Sequence, residues 1–99
     1  MHSTRLNLID NDDFSLDAEY NEKYFILHLP RFNPSKGAVM ALKDKLSDLH
    51  KMVGVTQWEH IWTGVDPKDD KMKKLMRMVN AEYQGTADGV DVYLYMGEA

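Results

Sequence analysis

Between Val65 and Met96 the chain reads V-D-P-K-D-D-K-M-K-K-L-M-R-M-V-N-A-E-Y-Q-G-T-A-D-G-V-D-V-Y-L-Y-M, and this segment restricts the fold more than any other. Asp66 is placed to cap a helix, with Pro67 at its first position and Asp69 and Asp70 set to complement the helix dipole. Met72, Leu75, Met76 and Val79 recur at helical spacing as one apolar stripe, and Lys71, Lys73, Lys74 and Arg77 form the opposite, exposed face. Asn80 tolerates the left-handed conformation that closes a helix. Glu82–Thr86 and Val90–Met96 then read as a hairpin around Ala87-Asp88-Gly89, because Asp-Gly suits the positive φ angles of a two-residue turn.

Upstream, Arg5–Ile9 is a short candidate strand that ends in the cluster Asp10-Asn11-Asp12-Asp13. Phe14, Leu16, Ala18 and Tyr20 alternate with Ser15, Asp17 and Glu19, the period of a half-buried strand. Asn21-Glu22 makes a turn into Lys23–Leu29, whose near-continuous apolarity suits a central strand buried on both faces, with Pro30 and Pro34 bracketing its end. A helix is expected from about Ser35 to Met52, with Val39, Leu42, Leu46, Leu49 and Val53 on one stripe and Gly54 as its stop. Val55–Val65 is expected as a strand carrying Trp58, His60 and Trp62 on one face and Gln57, Glu59 and Ile61 on the other.

The resulting order, β-β-β-α-β-α-β-β, predicts an α+β fold with a mixed, mostly antiparallel sheet and two helices. The crossover through the first helix makes the strands at 24–29 and 56–64 parallel. Residues 1–99 are expected to form one domain, since the length leaves no room for two. The net charge of −4 argues against a nucleic-acid binder, which carries a basic surface. The absence of cysteine excludes disulfides, thiolate metal sites and cysteine nucleophiles. Neither a signal peptide nor a membrane span is apparent, so a cytoplasmic location is expected.

From Tyr24 onward, the succession of elements resembles the C-terminal half of the GNAT family of N-acetyltransferases. In that alignment Tyr24–Leu29 is the family's fourth strand, the helix from Ser35 its third, Trp58–Thr63 its fifth strand and Pro67–Val79 its fourth helix. The wording is closest at the end, where Val79-Asn80-Ala81-Glu82-Tyr83-Gln84-Gly85 and Gly89-Val90-Asp91-Val92-Tyr93-Leu94-Tyr95 follow the family's glycine and its valine- and tyrosine-rich strand. The resemblance implies an acyl-CoA N-acyltransferase-like fold. It also implies that Ser35, Lys36, Gly37 and Ala38, at the start of the first helix, face the phosphates of acetyl-CoA. The family loop departs here at two places: Pro34 lacks an amide hydrogen and Val39 brings a branched side chain where a small residue is the rule. The helix tyrosine that serves many members as general acid corresponds to Met76, which has no proton to give. The chain thus reads as a reduced or degenerate member.

Glu59 is the candidate general base toward an acceptor amine. Ser35, beyond its place in the phosphate loop, reads first as a helix cap. His28 and His60 lie on neighbouring expected strands, yet no pair of histidines has metal-ligand spacing, so no metal is expected. His2 falls in the terminal segment. Asp10-x-Asp12 opens like a calcium loop, but Phe14 occupies the next ligand position. The basic residues Lys68, Lys71, Lys73, Lys74 and Arg77 read as a solvated helix face. Met40 and Met78 fall outside the apolar stripes and favour a protein contact. The functional expectation is an acetyltransferase-like protein that acts through a protein partner or a homodimer, of a size that suits a phage or mobile-element accessory protein. The alternative is an active enzyme moving acetyl from acetyl-CoA to an amine.

Overall fold

The computed structural model describes residues 3–97, so His2 lies outside the described part. The elements follow in the expected order: β1 (Thr4–Asp10), β2 (Phe14–Tyr20), β3 (Phe25–Phe32), α1 (Lys36–Val53), β4 (Ile61–Val65), α2 (Asp70–Met78), β5 (Ala81–Ala87) and β6 (Val90–Tyr95). They build one six-stranded sheet in the order β1-β2-β3-β4-β6-β5. All strand pairs are antiparallel except β3 with β4. The fold is therefore α+β with a mixed, mostly antiparallel sheet and two helices.

The sheet consists of two antiparallel halves joined by one parallel seam. β1, β2 and β3 form a meander whose turns are set by asparagine side chains. Asn11 Oδ1 accepts from the amides of Asp13 and Phe14, and Asn21 Oδ1 from those of Lys23 and Tyr24. The second half is β4, β6 and β5, closed by the Asp88-Gly89 turn with φ of 52° and 76°, both in the left-handed region a tight hairpin requires. The crossovers β3-α1-β4 and β4-α2-β5 step across the sheet in one direction, which sets both helices on the same face. Against that face pack Leu16, Ala18, Phe25, Leu27, Ile61, Val65, Tyr93 and Tyr95, meeting Leu42 and Leu46 of α1 and Leu75 and Met76 of α2.

Helix α1 begins as expected, with Ser35 Oγ accepting from the amide of Ala38 at 3.0 Å. Gly54 does stop it, but with φ of −61°, so the stop does not draw on the left-handed freedom of glycine. Asn80 takes φ of 63° after α2, as its residue type allows.

Five expectations need correction. Helix α2 starts at Asp70, three residues later than expected, because Asp66-Pro67-Lys68-Asp69 closes a turn in which Asp66 O accepts from Asp69 N at 2.9 Å. Asp69, not Asp66, then caps the helix through Met72 N. Strand β4 begins only at Ile61, since residues 54–60 are turned by the Thr56 hydroxyl bonding to Val53 O and by Glu59 at φ of 63°. Trp58 is therefore not a strand residue. Its ring packs on Tyr20 and Phe25 and its Nε1 donates to Asn21 O at 2.7 Å, closing one end of the core. Strand β3 runs through Pro30 to Phe32, with the proline accommodated where the β2–β3 register shifts. That strand is covered on one face only, and Ile26 and His28 on the other face are half-buried.

Leu42 is 2% exposed at the centre of the core. Leu42→Ala is expected to cost about 3 kcal/mol, read as a lower urea midpoint with an unchanged m-value.

Candidate functional site

The β3–β4 seam is short. Only Ile26↔Trp62 and Leu27↔Thr63 are in register, tied by Thr63 Oγ1 donating to Leu27 O at 2.8 Å. Beyond these pairs β3 continues to Phe32 and β4 to Val65 without further pairing, so the strands part toward their C-terminal ends. Helix α1 starts at that same end. Ser35, Lys36, Gly37 and Ala38 are thereby brought to the end of the sheet where the strands diverge. Lys36 and Gly37 are exposed, whereas Ala38 is fully buried and its amide is engaged by Ser35 Oγ. A Cβ on Gly37 would meet nothing nearer than Ser35 Oγ at 4.0 Å, so close packing does not demand glycine there. Glu59 lies exposed in the turn just before the opposite end of β4. The structure does not bring Glu59 together with Ser35–Ala38.

Behind the seam the side chains nearly close the interior. A cavity of about 30 Å³ remains, lined by Leu16, Leu27, Leu42, Leu46, Ile61, Thr63, Met76 and Tyr95 among others. Met76 is a core residue, 6% exposed. A wider groove of about 480 Å³ runs between the helices past Met40, Lys43, Asp44, Met78 and Asn80, and both methionines are exposed there.

The sheet face turned away from the helices carries a connected network of polar side chains. Cross-strand register places Asn7, Asp17 and His28 in one row and Arg5, Glu19 and Ile26 in the next. His28 Nε2 stands 2.7 Å from Glu19 Oε1, and Ser3 Oγ donates to Glu19 Oε2 at 2.7 Å. An ionised carboxylate only accepts, so Nε2 carries the ring proton. Asn7 Nδ2 donates to Asp17 Oδ1 at 2.8 Å, and Arg5 donates to Asp17 Oδ2 through Nε and Nη2. The Asn7 amide, with Arg5 behind it and burial opposing, holds the Asp17 carboxyl below its usual value. The hydroxyl of Ser3 and then the ring of His28 do the same for Glu19. His28 sits beside the last registered pair, where β3 and β4 part.

Reading the residues singly paired His28 with His60 as a metal question and left Glu19 out. His60 is exposed in the loop before β4, and among the described residues no group of three or more acidic or histidine side chains is placed to hold a metal. The hairpin register was the missing signal: a turn at Asn21 sets Asp17 opposite His28 and Glu19 diagonal to it. Asp10 and Asp12, the start of the calcium-like loop, serve Arg31 instead, through Asp10 Oδ1 at 2.8 Å and Asp12 O at 3.1 Å. The exposed basic face of α2 stands as expected except at Lys73, which reaches the buried Asp91 at 3.5 Å. Among the described residues no helix is long and apolar enough to cross a membrane. Comparison with protein-family profiles, curated proteins and solved structures finds no match to this chain.

Because the folded-state value of Glu19 is lowered from 4.5, its contacts add stability that is fully present above that pH and is lost as pH falls through the lower folded value. Glu19→Gln is expected to lower the urea midpoint at neutral pH. The difference from the unmodified chain should shrink steadily as pH falls below 4.5.

Proposed function

We propose that this chain is a reduced form of the GNAT acyltransferase architecture that works by binding a protein partner and does not transfer acetyl groups. One contrast carries this reading: the slot where acetyl-CoA would lie is filled, while the opposite sheet face is uncovered and chemically varied. The gap behind the β3–β4 seam retains about 30 Å³, against roughly 300–1,000 Å³ for a ligand pocket. The acyl-bearing arm of acetyl-CoA does not fit it. At the phosphate end, Ser35 already satisfies the amide of Ala38, and Pro34 and Val39 depart from the family loop. The acyltransferase-like identity itself is supported by the single parallel seam and by its opening toward the start of α1.

A second reading, transfer of acetyl from acetyl-CoA to an amine, draws on the His28–Glu19 pair. A histidine oriented by a carboxylate has the form of a general base, and this one sits where the strands part. Glu59, the base expected from the resemblance, is at the other end of β4.

The two readings separate in a thermal-shift titration with acetyl-CoA. A ligand at one hundred times its Kd adds about 2.7 kcal/mol, which is several degrees for a domain of this size. No shift at millimolar acetyl-CoA is expected, and a saturable rise would establish the second reading. In parallel, Trp62→Lys is expected to abolish association with the natural partner or with a second copy while leaving the melting temperature within a few degrees.

A further inference from the structure

The uncovered face has a layout that specifies what would cover it. Register across the whole sheet sets one transverse row: Arg5, Glu19, Ile26, Trp62, Leu94, Glu82. Its centre is apolar, flanked by Glu19 with Arg5 outside it on one side and by Glu82 on the other. The apolar centre extends along the strands. Val92 and Val90 continue it on β6, and Tyr24 packs edge-on against Trp62 at 6.3 Å between ring centres. Gly64, in line with Val92, presents no side chain, and Val90 leans over it so closely that a Cβ there would lie 2.9 Å from Val90 Cγ1. Asp17 lengthens the acidic border on the β2 side. Asp17, Glu19 and Glu82 are three carboxylates against the one guanidinium of Arg5, so the borders are net anionic.

The dimensions are those of one helix. Glu19 and Glu82 are separated by four strand spacings, about 19 Å at ~4.8 Å each. A helix about 10 Å across fits between them with side chains reaching both borders. Val90 to Leu94 runs about 14 Å along β6 at ~3.4 Å per residue, the rise of roughly nine helical residues. We propose that this face docks an amphipathic helix from a partner protein, whose apolar stripe lies on Ile26, Trp62 and Leu94 and whose flanking lysines or arginines meet Glu19 and Glu82. The proposal rests on the partner-binding reading and adds the partner's chemistry. It makes the chain the middle of a three-layer arrangement, with its own helices on one side of the sheet and the partner's on the other.

A second copy of this chain answers that description poorly. Its basic helix α2 turns Leu75 and Met76 into its own core, so it offers charge without an apolar stripe. Two copies apposed face to face would set carboxylate borders against carboxylate borders, a like-charge contact that opposes pairing.

The test uses the full chain and two synthetic 18-residue peptides with the same leucine stripe, bordered by lysine in one and by glutamate in the other, followed by amide and indole chemical shifts. The lysine peptide is expected to saturate at micromolar concentration and to move the signals of Trp62, Val92 and Leu94. The glutamate peptide should bind at least tenfold more weakly. The double variant Glu19→Gln, Glu82→Gln should erase most of that preference and its salt dependence. Equal affinity for both peptides, shifts confined to residues of α1 and α2, or no saturation by millimolar peptide would each overturn the proposal. Self-association in sedimentation that Trp62→Lys removes would replace the helix with a second copy, overturning this inference while leaving the partner-binding reading intact. Association that survives Trp62→Lys would defeat both.

Discussion

The parallel contact between β3 and β4 is the constraint on which the molecule turns. Among the described residues, two registered pairs and one side-chain bond, Thr63 to Leu27, tie the β1-β2-β3 meander to the β4-β6-β5 unit within the sheet. Each unit is held by its own tight turns and local pairing. The seam by contrast needs α1 to cross over and return, so it is the costliest pairing in chain entropy and the last to be rewarded. What keeps it is the layer beneath, where Leu42 and Leu46 span the join and bring Leu16 and Leu27 of one half against Ile61 and Tyr95 of the other. The aromatic plug of Trp58 on Tyr20 and Phe25 fastens the same junction from the end.

Parting of the strands beyond this short seam would open a slot if the interior were thinly filled. It is not: Met76, Tyr95 and the leucines of α1 fill the space. The connected polar side chains lie on the other side of the sheet. There, among the described residues, no helix covers the sheet, and Trp62, Leu94 and Ile26 stand half-buried beside a network of paired carboxylates. Ser3, Asn7, Arg5 and His28 hold Asp17 and Glu19 in place and ionised, which makes that border a rigid electrostatic feature.

Much of the fold was legible in the sequence because local signals agreed. The alternation from Phe14 to Tyr20, the stripe Leu42-Leu46-Val53, the cap at Ser35 and the Asp88-Gly89 turn each point to one conformation, and all hold. Errors arose where a tertiary contact overrides local pattern. Trp58 reads as a strand residue by alternation but is drawn out of line by its bond to Asn21, and Asp66 reads as a cap but is consumed by its own turn. The candidate site was less legible for a related reason. The start of α1 at Ser35–Ala38 could be read from its cap, but Glu59 was placed by a strand that does not extend to it. The rows across the open face depend on the register of five strand pairs, which no single segment encodes.

Both outermost strands carry an irregularity: the β1–β2 register slips between Asn7 and Ile9, and the β5–β6 register between Tyr83 and Gly85, where Gly85 has φ of 139°. Each kink spoils the straight run of free amides and carbonyls that another chain would need to extend the sheet sideways. The two margins are thereby poor templates for rim-to-rim growth, and the broad open face of the sheet is left as its flat, regular surface.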